Sequence, residues 1–132
     1  MQRQAILDQA SPPEAWLVFS ESVLRMQVGG PAVMRAQLRR LADLATRPGL
    51  TIQVLPFSTA AQVQAVSPFT MLEFADAADP AVVYLEHLTG SVFVENEDEV
   101  RRYQAVFDYL RAEALGPGPS AGLIAAAADG QA

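Results

Sequence analysis

The sequence predicts an α+β fold: a mixed, largely antiparallel sheet of four to five strands with helices packed outside it. Three observations lead there. Two segments, 31–46 and 96–114, carry apolar residues at helical spacing. Four strand-like runs crowd between 51 and 95, bounded by Pro, Gly and polar residues. The chain has 132 residues, 51% of them hydrophobic, which suits one compact core and leaves no room for two.

In chain order, residues 2–10 read as a short helix that Ser11-Pro12-Pro13 ends, because proline cannot continue the backbone ladder. Trp16–Phe19 reads as a short buried strand whose place in the sheet the sequence leaves open. Ser20 can cap a helical turn over Glu21–Val28, closed by Gly29-Gly30. Pro31 suits a first helical position, and Met34, Leu38, Leu41 and Ala45 form the apolar stripe of a helix over 31–46. The strand-like runs are Thr51–Phe57, Phe69–Phe74, Ala81–Leu88 and Ser91–Glu95. The last two form a hairpin about Thr89-Gly90, and Ser58–Ser67 reads as a loop. Asn96 with Glu99 resembles a capping box, opening a helix whose buried stripe is Val100, Tyr103, Phe107, Leu110 and Ala114. Gly116-Pro117-Gly118-Pro119 is read as a break, and Ser120 as the cap of an alanine-rich helix to about Ala128, with frayed residues after it. The aromatic residues are expected mainly in the core.

Charge narrows the function. Fifteen acidic against nine basic residues give a formal charge of −6. That argues against direct nucleic-acid binding, which needs clustered cations to neutralise phosphates, and against an anionic membrane surface. Without cysteine, disulfides, thiolate metal sites and cysteine nucleophiles are excluded. No apolar run reaches membrane-spanning length, and the first residues lack the apolar core of a signal peptide, so cytoplasmic residence is expected.

No metal or cofactor is expected. His87 is the single histidine, and one histidine does not make the usual zinc site, so it reads as structural or surface. No phosphate loop, Gly-x-Ser-x-Gly or calcium loop occurs. Tyr84 and Glu86 share one face of the strand 81–88, with Glu73 on a neighbouring run and Glu21 after the first strand. If these converge in an apolar pocket, Glu86, Tyr84 and Glu21 could supply acid–base chemistry. The plainer alternatives are an edge-strand charge for Glu86 and a helix first-turn acid for Glu21. Gln62, Gln64 and Ser67 of the 58–67 loop, flanked by Phe57 and Phe69, have the composition of a ligand pocket, an apolar lining with a few polar groups; an exposed loop fits equally. Arg35, Arg39, Arg40 and Arg47 make a basic helix face, or an ordinary solvated one.

WLVFSESVLRMQVGGPAVMRAQLRRLADLATRPGLTIQVLPF, SPFTMLEF, VVYLEHLTGSVFVENEDEVRRYQAVFDYLRAEAL and SAGLIAAAA together cover nearly the whole chain. The combination of Glu21, Leu24, Arg25, Val28-Gly29-Gly30-Pro31, Met34, Gln37-Leu38, Val54-Leu55-Pro56-Phe57, Pro68-Phe69, Tyr84, Glu86 and Val100-Arg101-Arg102-Tyr103 resembles a domain of unknown function. That domain follows the helix-turn-helix of actinobacterial Xre-type, antitoxin-like regulators. The arginine-only, alanine-rich composition agrees with such GC-rich coding. Relatives carry a helix-turn-helix and a Pro-Gly-Leu-Leu-Gln-Thr-like segment before the part corresponding to Arg3-Gln4, and this sequence has neither. It also has Ala60-Ala61-Gln62 and Gln64 where relatives have a Gly-Ala-His-like pattern. It is therefore expected to be either part of a longer regulator or a short relative.

The resemblance implies a non-enzymatic sensing domain over residues 1–132 that binds a small apolar molecule or a small partner protein; the missing N-terminal segment is expected to leave an apolar surface, so a homodimer is expected. Glu21, Arg25, Phe57, Gln62, Gln64, Phe69, Tyr84 and Glu86 are its candidate binding residues. The alternative is a metal-free cyclase or isomerase of a natural-product pathway, using Glu86, Tyr84 and Glu21. A toxin-neutralising interaction module is a third reading.

Overall fold

A computed structural model describes residues 14–26, 29–60, 68–74 and 78–130. The helix expected over 2–10, the Ser11-Pro12-Pro13 turn, and Gln62 and Gln64 lie outside these residues. The mixture of helix and strand is as expected, but there is no single sheet of four to five strands among the described residues. β1 (Ala15–Ser20) pairs in parallel with β2 (Leu50–Leu55), from Ala15 opposite Leu50 to Ser20 opposite Leu55. A separate antiparallel sheet has the order β3 (Thr70–Leu72), β4 (Val82–His87), β5 (Gly90–Val94).

The parallel pair requires a long crossover. Helix α1 (Ser22–Arg25) and helix α2 (Pro31–Leu44) supply it. Glycines with positive φ make the sharp bends: Gly29 and Gly30 between the helices, and Gly49 before β2. β2 is buried at five of six positions, as expected for a strand covered on both faces. A short helix α3 (Phe57–Ala60) occupies the start of the expected loop.

Helix α4 (Glu97–Glu113) is capped by Asn96, whose Oδ1 accepts from the amides of Asp98 (3.0 Å) and Glu99 (3.2 Å). Its expected apolar stripe is only half-buried, so α4 bridges between the sheets and does not fill the core. Helix α5 (Pro117–Asp129) begins earlier than expected. The Gly-Pro-Gly-Pro segment starts this helix instead of separating it from α4, because first-turn amides have no intrahelical partner and proline loses nothing there. Ser120 thus lies inside the helix, fully buried, and does not cap it.

The core is aliphatic. Leu24, Met34, Leu38, Leu50, Ile52, Val54, Ile124, Ala127 and Ala128 form one cluster where α2 and α5 pack against each other and α5 covers β2. The aromatic residues do not lie mainly in the core as expected: Trp16, Phe57, Phe74, Phe93 and Tyr109 are each about half exposed. The small Ala127 and Ala128 of α5 lie buried in this cluster beside Ile124.

A polar junction explains why the sheet stops at β2. The Leu115 amide donates to Val54 O (2.9 Å), and the Val54 amide donates to Ser120 Oγ (2.9 Å). Those groups would otherwise hold a third strand. The α4–α5 turn occupies the edge, so β3–β5 form a sheet of their own. Buried Gln53 locks the same turn. Its Nε2 donates to Arg111 O (3.1 Å) and Leu115 O (3.0 Å), and its Oε1 accepts from Trp16 Nε1 (2.6 Å). The Arg111 guanidinium stacks over Trp16.

Candidate functional site

The expected site residues fall into separate places. Three of them meet at the carboxyl ends of β1 and β2, the end of a parallel pair where ligands usually bind. There the chain leaves β1 and the Glu21 amide donates to Leu55 O (2.8 Å). This turns the Glu21 side chain towards α3. Its Oε1 accepts from the Phe57 amide (3.1 Å), and its Oε2 pairs with Arg25 Nη2 (3.1 Å). The carboxylate is mostly covered, with 13% of the side chain exposed, whereas Arg25 is 52% exposed. Both carboxylate oxygens therefore hold structure: one fixes α3 to α1 and the other fixes the guanidinium. The Phe57 ring and Met26, just after α1, remain exposed. The arrangement is a bonded charged pair beside an open aromatic ring.

Tyr84 and Glu86 lie elsewhere, on β4. The register confirms that they share a face, and Tyr84 Oη donates to Glu86 Oε1 (2.9 Å). Tyr84 also packs on Phe93, the ring centres 5.2 Å apart. Glu86 is exposed. Glu73 follows the Leu72–Val82 pair, at the end of the sheet away from Glu86, so the register does not bring these two carboxylates together. Phe69 packs edge-on against Tyr103 of α4, centres 5.0 Å apart, a contact that ties the sheet to that helix. His87 is exposed beside the hairpin turn, opposite Gly90.

Two open concavities lie at other positions. One, of about 170 Å³, is lined by Pro80, Ala81, Glu95, Glu97, Val100 and Arg101. The other, of about 380 Å³, runs between β5 and α4 and is lined by Val94, Glu99, Arg102, Tyr103 and Val106. Neither contains Tyr84, Glu86 or Glu21. Among the described residues no cluster of His, Asp and Glu could hold a metal ion, and no helix is long and apolar enough to cross a membrane.

Sequence reasoning missed Met26 as part of the exposed surface and Gln53 as the centre of the buried junction. Met26 sat inside an expected helix. Gln53 sat in a run that otherwise reads as a plain apolar strand.

Residues 1–126 match the family described as domain of unknown function (DUF5753), and the chain belongs to that family. No curated protein and no solved structure matches it.

Proposed function

We propose that this chain is a non-enzymatic regulatory domain, of the kind found in actinobacterial Xre-type regulators, acting in the cytoplasm. It recognises a small partner protein through Glu21, Arg25 and Phe57. The observation that carries this reading is the bonded set at the end of the parallel pair: Glu21 holds Arg25 on one oxygen and the amide of exposed Phe57 on the other. Arginine and aromatic residues dominate binding energy at protein interfaces, and pre-ordering them lowers the entropy lost on association. The resemblance adds that relatives are often encoded beside a second small protein. The acidic charge of −6 gives no support for DNA contact by this chain.

The enzyme alternative draws less support. Glu21 is committed on both oxygens, and the Tyr84–Glu86 pair faces solvent and not a pocket. The test is calorimetric titration with a small protein of the kind that relatives are encoded beside. Binding that falls at least tenfold in Phe57→Ala and in Arg25→Ala is the expected result. Unchanged binding in both variants refutes the assignment. Turnover of any substrate lost in Glu86→Gln and Tyr84→Phe would establish the enzyme reading instead.

A further inference from the structure

Among the described residues, the antiparallel sheet ends on an edge that no further strand covers, and its pattern is self-complementary. β4 and β5 join through the two-residue turn Leu88-Thr89, with His87 opposite Gly90. In such a hairpin the closing pair exchanges both backbone bonds, and bonded pairs then alternate. Leu85–Val92 and Val83–Val94 are therefore bonded pairs. The backbone groups of Ser91 and Phe93, and of Glu95 beyond them, point away from β4. Among the described residues no backbone hydrogen bond reaches that outer edge.

Sheet edges are usually blunted by charge, proline or a bulge. Gly90–Val94 has neither charge nor proline. An aromatic row, Tyr84 then Phe93, runs to the edge and stops at a ring that is 58% exposed.

We propose that two copies of this chain pair antiparallel through β5, centred on Phe93, joining two three-stranded sheets into one of six. The case is independent of what the Glu21–Arg25–Phe57 surface recognises. It rests on register. With Phe93 opposite Phe93 of the second copy, Ser91 lies opposite Glu95, so the single charged residue of the segment never meets itself. Three outward-facing pairs then exchange about two backbone bonds each. On one face the row becomes Tyr84–Phe93–Phe93–Tyr84 across the two copies. On the other face Val92 of one copy lies beside Val94 of its mate, at the mouth of the groove that Val94 lines with Glu99, Arg102, Tyr103 and Val106. Glu99 and Arg102 there offer opposite charges to a second copy of the same groove.

Because the chain has no cysteine, the register can be read by crosslinking. Val92→Cys/Val94→Cys should form a covalent dimer on mild oxidation, since 92 of one copy sits directly opposite 94 of the other. Neither single variant should do so efficiently. Sedimentation at micromolar concentration should show a dimer for the unmodified chain. Phe93→Glu and Phe93→Arg should each be monomeric with an unchanged circular dichroism spectrum, and mixing the two should restore a dimer. A monomeric unmodified chain overturns the proposal. So does a dimer that survives Phe93→Glu while the double cysteine variant stays uncrosslinked, which would place the interface elsewhere. If Phe93→Glu fails to fold, the crosslinking result decides alone.

Discussion

Gln53→Leu removes the centre of the polar junction while keeping nearly the same volume, so no cavity contributes to its effect. Gln53 is 6% exposed and makes three hydrogen bonds. The three partners lose unequally. Leu115 O still accepts from Ser120 Oγ (3.1 Å). Trp16 is 45% exposed, so its indole N–H can turn to water. Arg111 O loses most, because the amide one helical turn ahead, Leu115 N, is committed to Val54 O. An orphaned buried carbonyl costs about 1–3 kcal/mol and each of the two bonds lost with compensation about 1 kcal/mol, giving roughly 3–5 kcal/mol for the substitution. At a few degrees per kcal/mol for a chain of this size, the melting midpoint should fall by about 10 °C. Urea unfolding followed by circular dichroism measures it. A change within about 0.5 kcal/mol would mean that the junction does not hold α4 to β2, and the explanation for the divided sheet would fail.

Ser120→Ala should cost about 1–3 kcal/mol, because it strips the partner from the Val54 amide; hydrogen exchange at Val54 should speed up markedly while the other β2 amides change less. Asn96→Ala should cost about 1 kcal/mol by removing two first-turn acceptor contacts, read from the urea midpoint. Gly49→Ala, with open space around the added methyl, should cost about 1–2 kcal/mol from backbone conformation alone. Gly29→Ala should cost more, since its Cβ would sit 2.9 Å from Val33 Cγ1, and adding Val33→Ala should recover only part of the difference in the same urea assay, because Val33 Cβ stays 3.1 Å away.

Much of the fold is legible because it rests on local signals. The stripe Met34, Leu38, Leu41 is periodic, Asn96 followed by three acids marks a helix start, and Thr89-Gly90 marks a hairpin whose turn forms one residue earlier, at Leu88-Thr89. What could not be read is pairing across distance. Trp16–Phe19 is a strand in either sheet, and only its partner Leu50–Leu55 decides that it runs parallel. Ser120 looks like a helix cap because serine favours caps. Its real partner is an amide 66 residues earlier, which no local pattern records. The same holds for the site. Tyr84 and Glu86 are two apart on a strand, so their shared face follows from alternation. The union of Glu21, Arg25 and Phe57 depends on the parallel pair, and the sequence offered these three only as separate candidates.

The most direct test of the proposed recognition surface is backbone-amide NMR of the domain titrated with a small protein of the kind that relatives are encoded beside. Shift changes concentrated at Glu21–Arg25 and Phe57–Ala60, and lost in Phe57→Ala, are the expected result. Changes concentrated at Val82–His87, or none at saturating partner, would contradict it.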